Sequence, residues 1–439
     1  MFGSGTVRPA RVSMTATARR LLSRLGDDVA LSFDALTHPF RGPRPTPRSG
    51  HFQICHTHHE HDRIYAENLC EYFGQIGVGC KVLEFAAPGR WPGLRRCLDE
   101  NAIGVLGFNA QLDHCRAGSR DFLAAAALRD VPVIHWILDH PSARWHEFAH
   151  ATAANSRFLF VSEFAARYFL RYCVPDARTA WTASVGPNWR SRIGALSREE
   201  FLKRETACLI PLGLKRIGGT IADAAQRRRR LDRGLGEAVG EAIEQARCDL
   251  TGPLESHLVV ALARRGRELS DREFNRCFQI VDDAVQIERR LQIFKVAARF
   301  PVSIQTDVGP QTAAPAAAAA ISTDPRITGM AATAERMKSC RAVLSANYAN
   351  DLLHDRTENG LNAGCVVIVE DTPTHRRFFA HGGNALLFRY DDDSLAECLD
   401  LVCNRPERAY EIAQAGFALR DDPAVRFGGF ENILALARA

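Results

Sequence analysis

The sequence predicts two doubly wound α/β domains in tandem. Short apolar runs alternate with segments of helical periodicity, and this alternation occurs twice along the 439 residues. Strands that read as continuous apolar runs separated by helices are typical of a parallel sheet covered on both faces. Because domains average about 150 residues, the length also fits more than one domain. We therefore expect an N-terminal domain over residues 51–195 and a C-terminal domain over residues 196–439.

Residues 1–50 are expected to form a disordered basic and proline-rich arm. The first 26 residues contain arginine but no acidic residue, and four prolines lie between residues 38 and 50. A basic segment without acids also occurs in mitochondrial transit peptides. The absence of an apolar core-forming pattern favours the disordered arm, and the prolines predict a linker before the folded part.

The strands and helices of both domains follow from the apolar runs. In the N-terminal domain the predicted strands are 52–55, 81–85, 103–108, 131–138 and 157–161, with helices at 65–77 and 120–127. In the C-terminal domain the predicted strands are 208–212, 302–306, 342–346, 365–369 and 385–388, with helices at 331–339, 394–404 and 407–415. The low-complexity segment 310–320 predicts a flexible loop.

A helical insertion is predicted within the C-terminal domain, over about residues 221–300. Phe274, Phe278, Val281 and Val285 recur there at the spacing of one buried helical face. We interpret this stripe as core packing. The basic run 227–230 is interpreted as a solvated helix face, because it is short and lacks interleaved aromatic residues.

The composition excludes several classes of protein. The 13 cysteines are scattered without a CxxC pair, so neither a zinc ribbon nor a disulfide framework is indicated and a reducing cytoplasm fits best. A net charge of +5 is small for this length and gives little support to a specific nucleic-acid binder. We expect no membrane span, because no apolar run approaches the roughly 20 residues that a spanning helix needs.

The segment 347–390 carries the most chemistry. A predicted helix bearing His354, Arg356, Glu358 and Asn359 leads through Gly364 into an apolar strand. In doubly wound sheets, ligands bind beyond the carboxyl ends of strands, near helix N-termini that favour phosphate. An arginine there can fork onto a diphosphate or carboxylate, and a carboxylate or amide can bind sugar hydroxyls. An ordinary surface helix start is the alternative, and the residues alone leave both interpretations open.

A longer pattern runs through the same segment. An arginine is followed three positions on by an amide, an Ala-Gly pair closes the helix, and an apolar strand precedes a Phe-x-x-Gly-x-Asn-x-Leu-x-Phe stretch. The residues are Arg356, Asn359, Ala363, Gly364, 366–369, Phe379, Gly382, Asn384, Leu386 and Phe388. This pattern resembles GT-B glycosyltransferases, in particular the CgeB-type, spore-protein glycosyltransferase-like family. The resemblance is strongest over residues 285–420, and the segment 135–145 is similar to that family's Asp-x-Pro segment.

The resemblance implies two Rossmann-like domains and a nucleotide-diphosphate sugar as donor. It implies no tightly bound cofactor and no bound metal. The donor would contact His354, Arg356, Glu358, Asn359 and Gly364. Many GT-B enzymes have a glutamate at the position of Asn359 to hold the nucleotide ribose. An amide still bonds a hydroxyl but brings no charge, and Glu358 points about 100° away on an ideal helix.

A histidine-rich segment follows the first predicted strand. His56, His58, His59 and His61 lie within six residues, together with an acidic residue on each side of His61. If the strand ends near residue 55, the cluster lies in the first strand-to-helix loop, at the edge that faces the cleft. The open interpretations are a polar rim of the active site, plain loop surface and a metal site, whose spacing matches no closed metal centre.

Two further groups are candidates for the chemistry. Asp139 and His140 directly follow a predicted strand, where a general base would take a proton from an acceptor; the alternative is a turn in which Asp139 caps the next helix. Lys215 and Arg216 lie in a glycine-containing segment after the first strand of the C-terminal domain, where they would add positive charge near the phosphates. This segment is neither GxGxxG nor a P-loop.

These observations together predict an enzyme that transfers a sugar from a nucleotide-diphosphate donor to an unidentified glycan, protein or small-molecule acceptor. Asp139 or His140 is the predicted base, and Arg356 is predicted to stabilise the departing diphosphate. Two alternatives stay open: a sugar-nucleotide epimerase on the same architecture, and a non-catalytic binding or scaffold protein, which the amide of Asn359 would fit.

Overall fold

The computed structural model describes residues 50–56, 59–84, 98–109, 126–148, 155–186, 192–212, 224–247, 249–305, 322–323, 329–347 and 351–438. Within them the chain forms two six-stranded sheets in which every strand pair is parallel. Helices cover both sheets. The predicted fold class, two tandem Rossmann-like α/β domains, is therefore confirmed.

The first sheet has the strand order β2-β1-β3-β4-β5-β6. Its strands are β1 (His51–His56), β2 (Gly79–Glu84), β3 (Ala102–Phe108), β4 (Val133–Ile137), β5 (Ser156–Phe160) and β6 (Arg178–Trp181). Its helices are α1 (Glu60–Gln75), α2 (Pro141–Phe148) and α3 (Glu163–Tyr172). The sequence did not predict β6, because this edge strand is short and partly exposed and so lacks a continuous apolar run.

The second domain opens with α4 (Arg198–Leu202) and β7 (Thr206–Pro211), followed by a helical unit. The unit comprises α5 (Arg233–Ala246), α6 (Glu255–Ala263) and α7 (Asp271–Ala297). Helix α7 starts with a capping box between Ser270 and Glu273. Phe274, Phe278, Val281 and Val285 are all buried in one apolar cluster, so the predicted stripe is core packing.

The remaining elements complete the second sheet, whose order is β12-β11-β10-β7-β8-β9. Its other strands are β8 (Ser303–Gln305), β9 (Ser322–Thr323), β10 (Cys340–Ser345), β11 (Val366–Glu370) and β12 (Leu386–Phe388). The helices are α8 (Met330–Met337), α9 (Asp355–Asn362), α10 (Pro373–Phe378), α11 (Asp392–Asn404), α12 (Pro406–Ala418), α13 (Pro423–Arg426) and α14 (Glu431–Arg438).

The helical unit packs against both domains. Tyr168 of α3, in the first domain, shares the apolar cluster of Phe274 and Phe278. Farther along α7, Ile293 and Phe294 belong to the core of the second domain. An insertion in the sequence of the second domain therefore also covers the first, a contact that the sequence did not predict.

The C-terminal end of the chain returns to the first domain. Phe427, Phe430, Ile433 and Leu436 lie in the same core as residues of α1 and of the first sheet. The chain therefore passes between the domains twice, through 182–186 and again through 427–430, and α14 is part of the first domain's core. The sequence predicted that residues 196–439 form one domain and did not predict that the C-terminal end packs into the first domain.

Three further features bear on the sequence predictions. Cys70 of α1 and Cys80 of β2 form a disulfide that the scattered cysteines did not predict. Among the residues that the structure describes, no helix is both long and apolar enough to cross a bilayer. The arm 1–49, the loop 310–320 and most of the predicted helix 120–127 lie outside the described residues.

Candidate functional site

The strand order of each sheet indicates where a ligand would bind. In the first sheet the chain goes from β1 to β2 on one side and then returns to add β3 on the other side of β1. In the second sheet it adds β8 and β9 on one side of β7 and then β10 on the other side, so the order of strand addition reverses between β7 and β10. In open α/β sheets, ligands bind beyond the carboxyl ends of strands at such a reversal. We therefore expect a ligand at the start of α1, which follows β1, and at the start of α9, which follows β10.

Helix α9 begins at a histidine cap. The Nδ1 atom of His354 accepts a hydrogen bond from the backbone N–H of Arg356 at 3.3 Å. The ring of His354 also contacts the carboxylate of Asp355. Burial alone would raise the pKa of Asp355, but His354 and, more weakly, Arg356 and His61 lower it to about 2. The Arg356 guanidinium and the helix dipole place positive charge at this end of α9, beside the Asp355 carboxylate.

The guanidinium of Arg356 lies at the carboxyl end of the second sheet. Its Nη1 atom donates to the carbonyl oxygen of Ala346, one residue beyond β10, at 3.3 Å. The next residue, Thr357, is fully buried, and its hydroxyl bonds Ser345 of β10 at 2.9 Å. These contacts attach the start of α9 to the end of β10. Arg356 itself is half-buried, so its guanidinium is placed next to the reversal point.

Glu358 faces the first domain. It is 3% exposed, and its carboxylate accepts a hydrogen bond from the hydroxyl of Ser184, in the segment that follows β6. The second carboxylate oxygen, Oε2, has no hydrogen-bond partner among the described residues. Burial raises the pKa of Glu358 well above its usual range, and Asp355 adds to this, while the Ser184 hydrogen bond and Arg426 oppose it.

Asn359 lies within α9, whereas Gly364 lies just beyond its end. Asn359 is buried, 1% exposed, one residue beyond the inter-domain contact of Glu358. Gly364 adopts a φ of +66° just after α9, where the backbone N–H of Cys365 bonds the carbonyl oxygen of Gly360 at 2.8 Å. This glycine lies at the opposite end of α9 from His354. It ends the helix, and the contact of Gly364 with the donor stays a prediction.

The start of α1 meets the start of α9 across the domain boundary. Tyr65 is buried there, and its pKa is raised well above the usual range by burial, and further by Asp355, Glu358 and Asp62. The exposed His61 lies close enough to Asp355 to lower the pKa of that carboxyl. The site is therefore formed by both domains.

The histidine-rich segment does not form a single loop. His56 is the last residue of β1 and is buried, and His59 directly precedes α1. His61 lies within the first turn of α1, and His58 lies outside the described residues. The expectation that all four histidines occupy one strand-to-helix loop is therefore wrong. Among the residues that the structure describes, no group of three possible metal-ligating side chains is assembled.

Asp139 and His140 do not lie together at the cleft. Asp139 is exposed just beyond β4, where Asn109 Oδ1 accepts the backbone N–H groups of Leu138 and Asp139. His140 turns inward, and its ring contacts Tyr168 at 4.7 Å and Phe278 at 5.2 Å between centroids. Burial lowers the pKa of His140 to about 3.

His140 is therefore enclosed by the packing between the first domain and the helical unit. Its Nδ1 atom bonds the hydroxyl of Ser142 at 2.9 Å. A buried ring with this environment does not meet an acceptor hydroxyl, which corrects the expectation that it acts as the base. Nothing in the local sequence distinguishes this inward position, because it depends on Phe278, which is distant in the chain. Lys215 and Arg216 lie outside the described residues.

Sequence reasoning missed Ser184 and Arg426 and assigned no role to Glu370. Ser184 donates to Glu358, and Arg426, beside it in space, pairs with Glu71 of α1 at 2.6 Å. Glu370, at the end of β11, accepts from Tyr390 Oη at 2.5 Å and from the backbone N–H of Asn347 at 2.9 Å. These contacts join residues far apart in the chain and leave no short-range pattern.

Part of the chain is similar to a known protein family. Residues 315–421, less than half of the chain, match the model of a family described as glycosyl transferase-like. This match includes Arg356 and the whole of α9. No curated protein sequence matches the chain.

Several solved structures are similar over most of the chain. HepE of Anabaena in complex with UDP-glucose has 10% identity, covers 88% of this chain and 98% of its own, and gives a TM-score of 0.48. Sucrose-phosphate synthase of Thermosynechococcus elongatus has 10% identity, with 88% and 96% covered and a TM-score of 0.45. A DNA-modifying β-glucosyltransferase has 7% identity, with 88% and 100% covered and a TM-score of 0.47. The fold assignment rests on the strand order and not on these similarities.

Proposed function

We propose that the protein transfers a glycosyl group from a nucleotide-diphosphate sugar to an acceptor bound between its two domains. The observation that carries this proposal is the position of Arg356. Its guanidinium lies at the reversal point of the second sheet, at the start of α9, within the segment that matches the glycosyl transferase-like family. A helix N-terminus with an adjacent arginine supplies backbone N–H groups and positive charge for a diphosphate.

The proposed donor site uses the start of α9. Arg356 would bind the diphosphate and stabilise the charge that builds up on it as it leaves. Asn359 would orient the donor through its amide, since it lies one turn farther along the helix. Glu358 is directed at Ser184 and would serve as a positioning residue between the domains. Lys215 and Arg216 stay candidates for further phosphate contacts.

The proposed reaction takes place at the anomeric carbon of the donor sugar. The acceptor hydroxyl oxygen forms a bond to that carbon, the bond from the carbon to the diphosphate oxygen breaks, and the nucleoside diphosphate leaves with the electron pair. The hydroxyl proton must pass to a base on the acceptor side. His61, exposed at the start of α1 and close to Asp355, is our candidate base, and Asp139 is the alternative.

The first test is calorimetric titration of the purified full-length protein with UDP, GDP, ADP and TDP. We expect one nucleotide to bind in the micromolar range and Arg356→Ala to weaken it at least about tenfold, or about 1.4 kcal/mol. The matched control is Arg198→Ala, which removes an exposed guanidinium paired with Glu407 and should leave the affinity unchanged. Equal affinity of wild type and Arg356→Ala would refute the proposed donor site.

The second candidate function is a non-catalytic binding or scaffold protein. The observation that favours it is the pair Asn359 and Glu358: an amide stands where many GT-B enzymes carry the ribose-binding carboxylate, and the neighbouring carboxylate is bonded to Ser184. Failure of all four nucleotides to bind to folded protein would support this alternative. Binding without turnover of the matching nucleotide sugar, with candidate acceptors present, would also favour it.

A further inference from the structure

A cavity of about 500 Å³ opens where the two domains join. The last turn of α1 and the end of β6 line it from the first domain, α10 lines it from the second, and α13 and the start of α14 lie between them. The aromatic and polar side chains of its lining include Tyr72, Gln75, Trp181, Arg377, Glu431 and Asn432. We call this cavity the hinge pocket. Its volume lies within the usual range of small-molecule sites.

The hinge pocket lies away from the proposed donor end of the candidate functional site, although its lining residue Ala183 is next to Ser184 of that site. That site includes His61, in the first turn of α1, whereas the pocket is lined by Gln75, the last residue of the same helix. At about 1.5 Å per residue, these two residues lie roughly 21 Å apart along the helix axis. A ligand in the hinge pocket therefore would not occupy the donor site.

The floor of the hinge pocket is preformed by the two segments that connect the domains. The backbone N–H of Ala183 donates to the carbonyl oxygen of Gly428 at 2.8 Å. Gly429 has a φ of +84°, and a Cβ atom there would lie 2.7 Å from Thr182 Cα. Only glycine allows so close an approach at this backbone conformation. The pocket is therefore bounded by backbone in direct contact and not by side chains alone.

Aromatic rings form one part of its wall. The side chain of Trp181 is 41% exposed, although large aromatic side chains are usually well buried. Its carbonyl oxygen accepts from Asn432 Nδ2 at 2.8 Å, which attaches the end of β6 to α14. Tyr72 lies on α1, and its ring packs against Phe427 at 5.5 Å between centroids. An exposed aromatic ring presents a flat apolar surface to a ligand.

Planar polar groups form the rest of the wall. Arg377, Gln75, Glu431 and Asn432 carry guanidinium, amide and carboxylate groups. Gln75 Nε2 donates to Glu71 at 3.2 Å and Asn432 Nδ2 to the carbonyl oxygen of Trp181, which leaves the amide oxygens and the second N–H of each amide for a ligand. Burial raises the pKa of the Tyr72 hydroxyl, and the neighbouring Glu431 carboxylate raises it further. Arg377 and Glu431 carry opposite charges, so the lining has no net charge. A phosphate or a cation would meet one like charge, whereas a neutral polyhydroxylated ligand would meet none.

We propose that the hinge pocket is a saccharide-binding site for a neutral pyranose oligosaccharide. The C–H face of one ring would stack on Trp181, and its hydroxyls would bond Arg377, Glu431 and the two amides. The proposal concerns binding alone and does not depend on glycosyl transfer. Because the pocket is lined by both domains, a bound saccharide would also contact the segments that connect them.

The test uses the full-length protein and three neutral probes: maltotriose, cellotriose and triacetylchitotriose. Saturation-transfer difference NMR detects contact, and titration gives the affinity. We expect at least one probe to bind with a dissociation constant below about 10 mM. Trp181→Ala and Arg377→Ala should weaken it about tenfold and about threefold respectively, while Trp181→Phe, which keeps an aromatic ring, should retain most of the affinity.

The matched control is Leu291→Ala, which removes another exposed apolar side chain, 42% exposed, on α7. This variant should bind the probe as the wild type does. The proposal is overturned if no probe binds to folded wild type, or if binding is unaffected by both Trp181→Ala and Arg377→Ala. It is also overturned if an apolar dye binds in a Trp181-dependent manner while all three saccharides fail.

Discussion

Glu358, on α9 of the second domain, accepts a hydrogen bond from Ser184, in the segment that leaves the first domain. The adjacent backbone is paired as well, since the N–H of Leu353 donates to the carbonyl oxygen of Ala183 at 2.8 Å. The start of the proposed donor helix is thus attached to the first domain by both side chain and backbone. A carboxyl buried at this junction makes the junction sensitive to pH.

The first prediction concerns the pH dependence of stability at Glu358. Its folded-state pKa is raised, mainly by burial, so the folded chain holds the proton more tightly than the unfolded chain. This contribution to stability is fully present below the unfolded pKa of about 4.3 and is lost as pH rises through the folded pKa. Glu358→Gln does not ionise, so its free energy of unfolding should exceed that of the wild type at alkaline pH, by a margin that grows as pH rises through the folded-state pKa.

Urea unfolding at several pH values measures this difference. Glu407→Gln, at an exposed position, is the control and should show no comparable growth of the difference with pH. If the free energies of unfolding of the wild type and Glu358→Gln fall in parallel as pH rises, the ionisation of Glu358 is not the cause of the pH dependence.

The second prediction concerns the contact between α9 and the second sheet. A Cβ atom at Gly360 would lie 2.5 Å from Val343 Cγ1 and 2.9 Å from Val367 Cγ1. Both valines are fully buried in the sheet, so Gly360→Ala should displace α9 and cost about 1–3 kcal/mol. The displacement should also weaken nucleotide binding, because Arg356 moves with the helix. Thermal and urea unfolding together with calorimetry check both effects.

Gly74→Ala is the matched control for this substitution. Gly74 lies in α1, and a Cβ atom there would meet nothing within 4 Å. Alanine in a helix is more favourable than glycine, so this variant should gain about 0.5–1 kcal/mol. Equal gains in the two variants would show that helix propensity and not the clash at the sheet decides the outcome.

The third prediction separates a structural from a catalytic role of His140. Burial lowers its pKa to about 3, so the folded state keeps the ring neutral while the unfolded chain protonates near pH 6.5. Its contribution to stability is present above about pH 6.5 and is lost as pH falls towards 3. The loss amounts to about 4 kcal/mol for a shift of this size.

His140→Gln should therefore unfold at a lower pH than the wild type in acid denaturation followed by circular dichroism. At neutral pH its nucleotide affinity should stay within about twofold of the wild type, because His140 lies between Tyr168 and Phe278 and not at the proposed donor site. A large fall in kcat with unchanged acid stability would instead support the catalytic role.

The fourth prediction tests the attachment of the helical unit to the first domain. The hydroxyl of Tyr168, on α3, donates to Asn275 Oδ1, on α7, at 2.8 Å, and both residues are buried. Tyr168→Phe leaves the buried amide oxygen without this donor and should cost about 1–3 kcal/mol. Tyr172→Phe keeps the ring that stacks on Phe274 at 4.0 Å and should cost less. Urea unfolding of the two variants measures the difference, and equal costs would contradict the importance of the Asn275 bond.

Much of the fold was predictable because it depends on patterns within short segments. The apolar runs of β1, β3, β7 and β11 are buried along nearly their whole length, and such runs identify central parallel strands. Strand β6 was missed since an edge strand lacks that run. The helical stripe on α7 was predicted for the same reason as the central strands, because its spacing alone identifies a buried face.

The site was predictable only where its residues are close in sequence. His354, Arg356, Glu358 and Asn359 lie within six residues at the start of one helix, and this helix start lies at the reversal point of the second sheet. The inward position of His140 was not predictable, because its burial depends on α3 and α7.

The sequence by itself determined two doubly wound domains, a long helical insertion and a polar helix start before β11, because each depends on spacing within about 20 residues. The tertiary structure alone decided that Glu358 faces Ser184, that α7 and α14 contact the first domain, and that His140 is enclosed. These outcomes join residues more than 100 positions apart, for example Ser184 to Glu358. Burial and pKa there depend on which side chains the fold brings together, and no local pattern encodes that partnership.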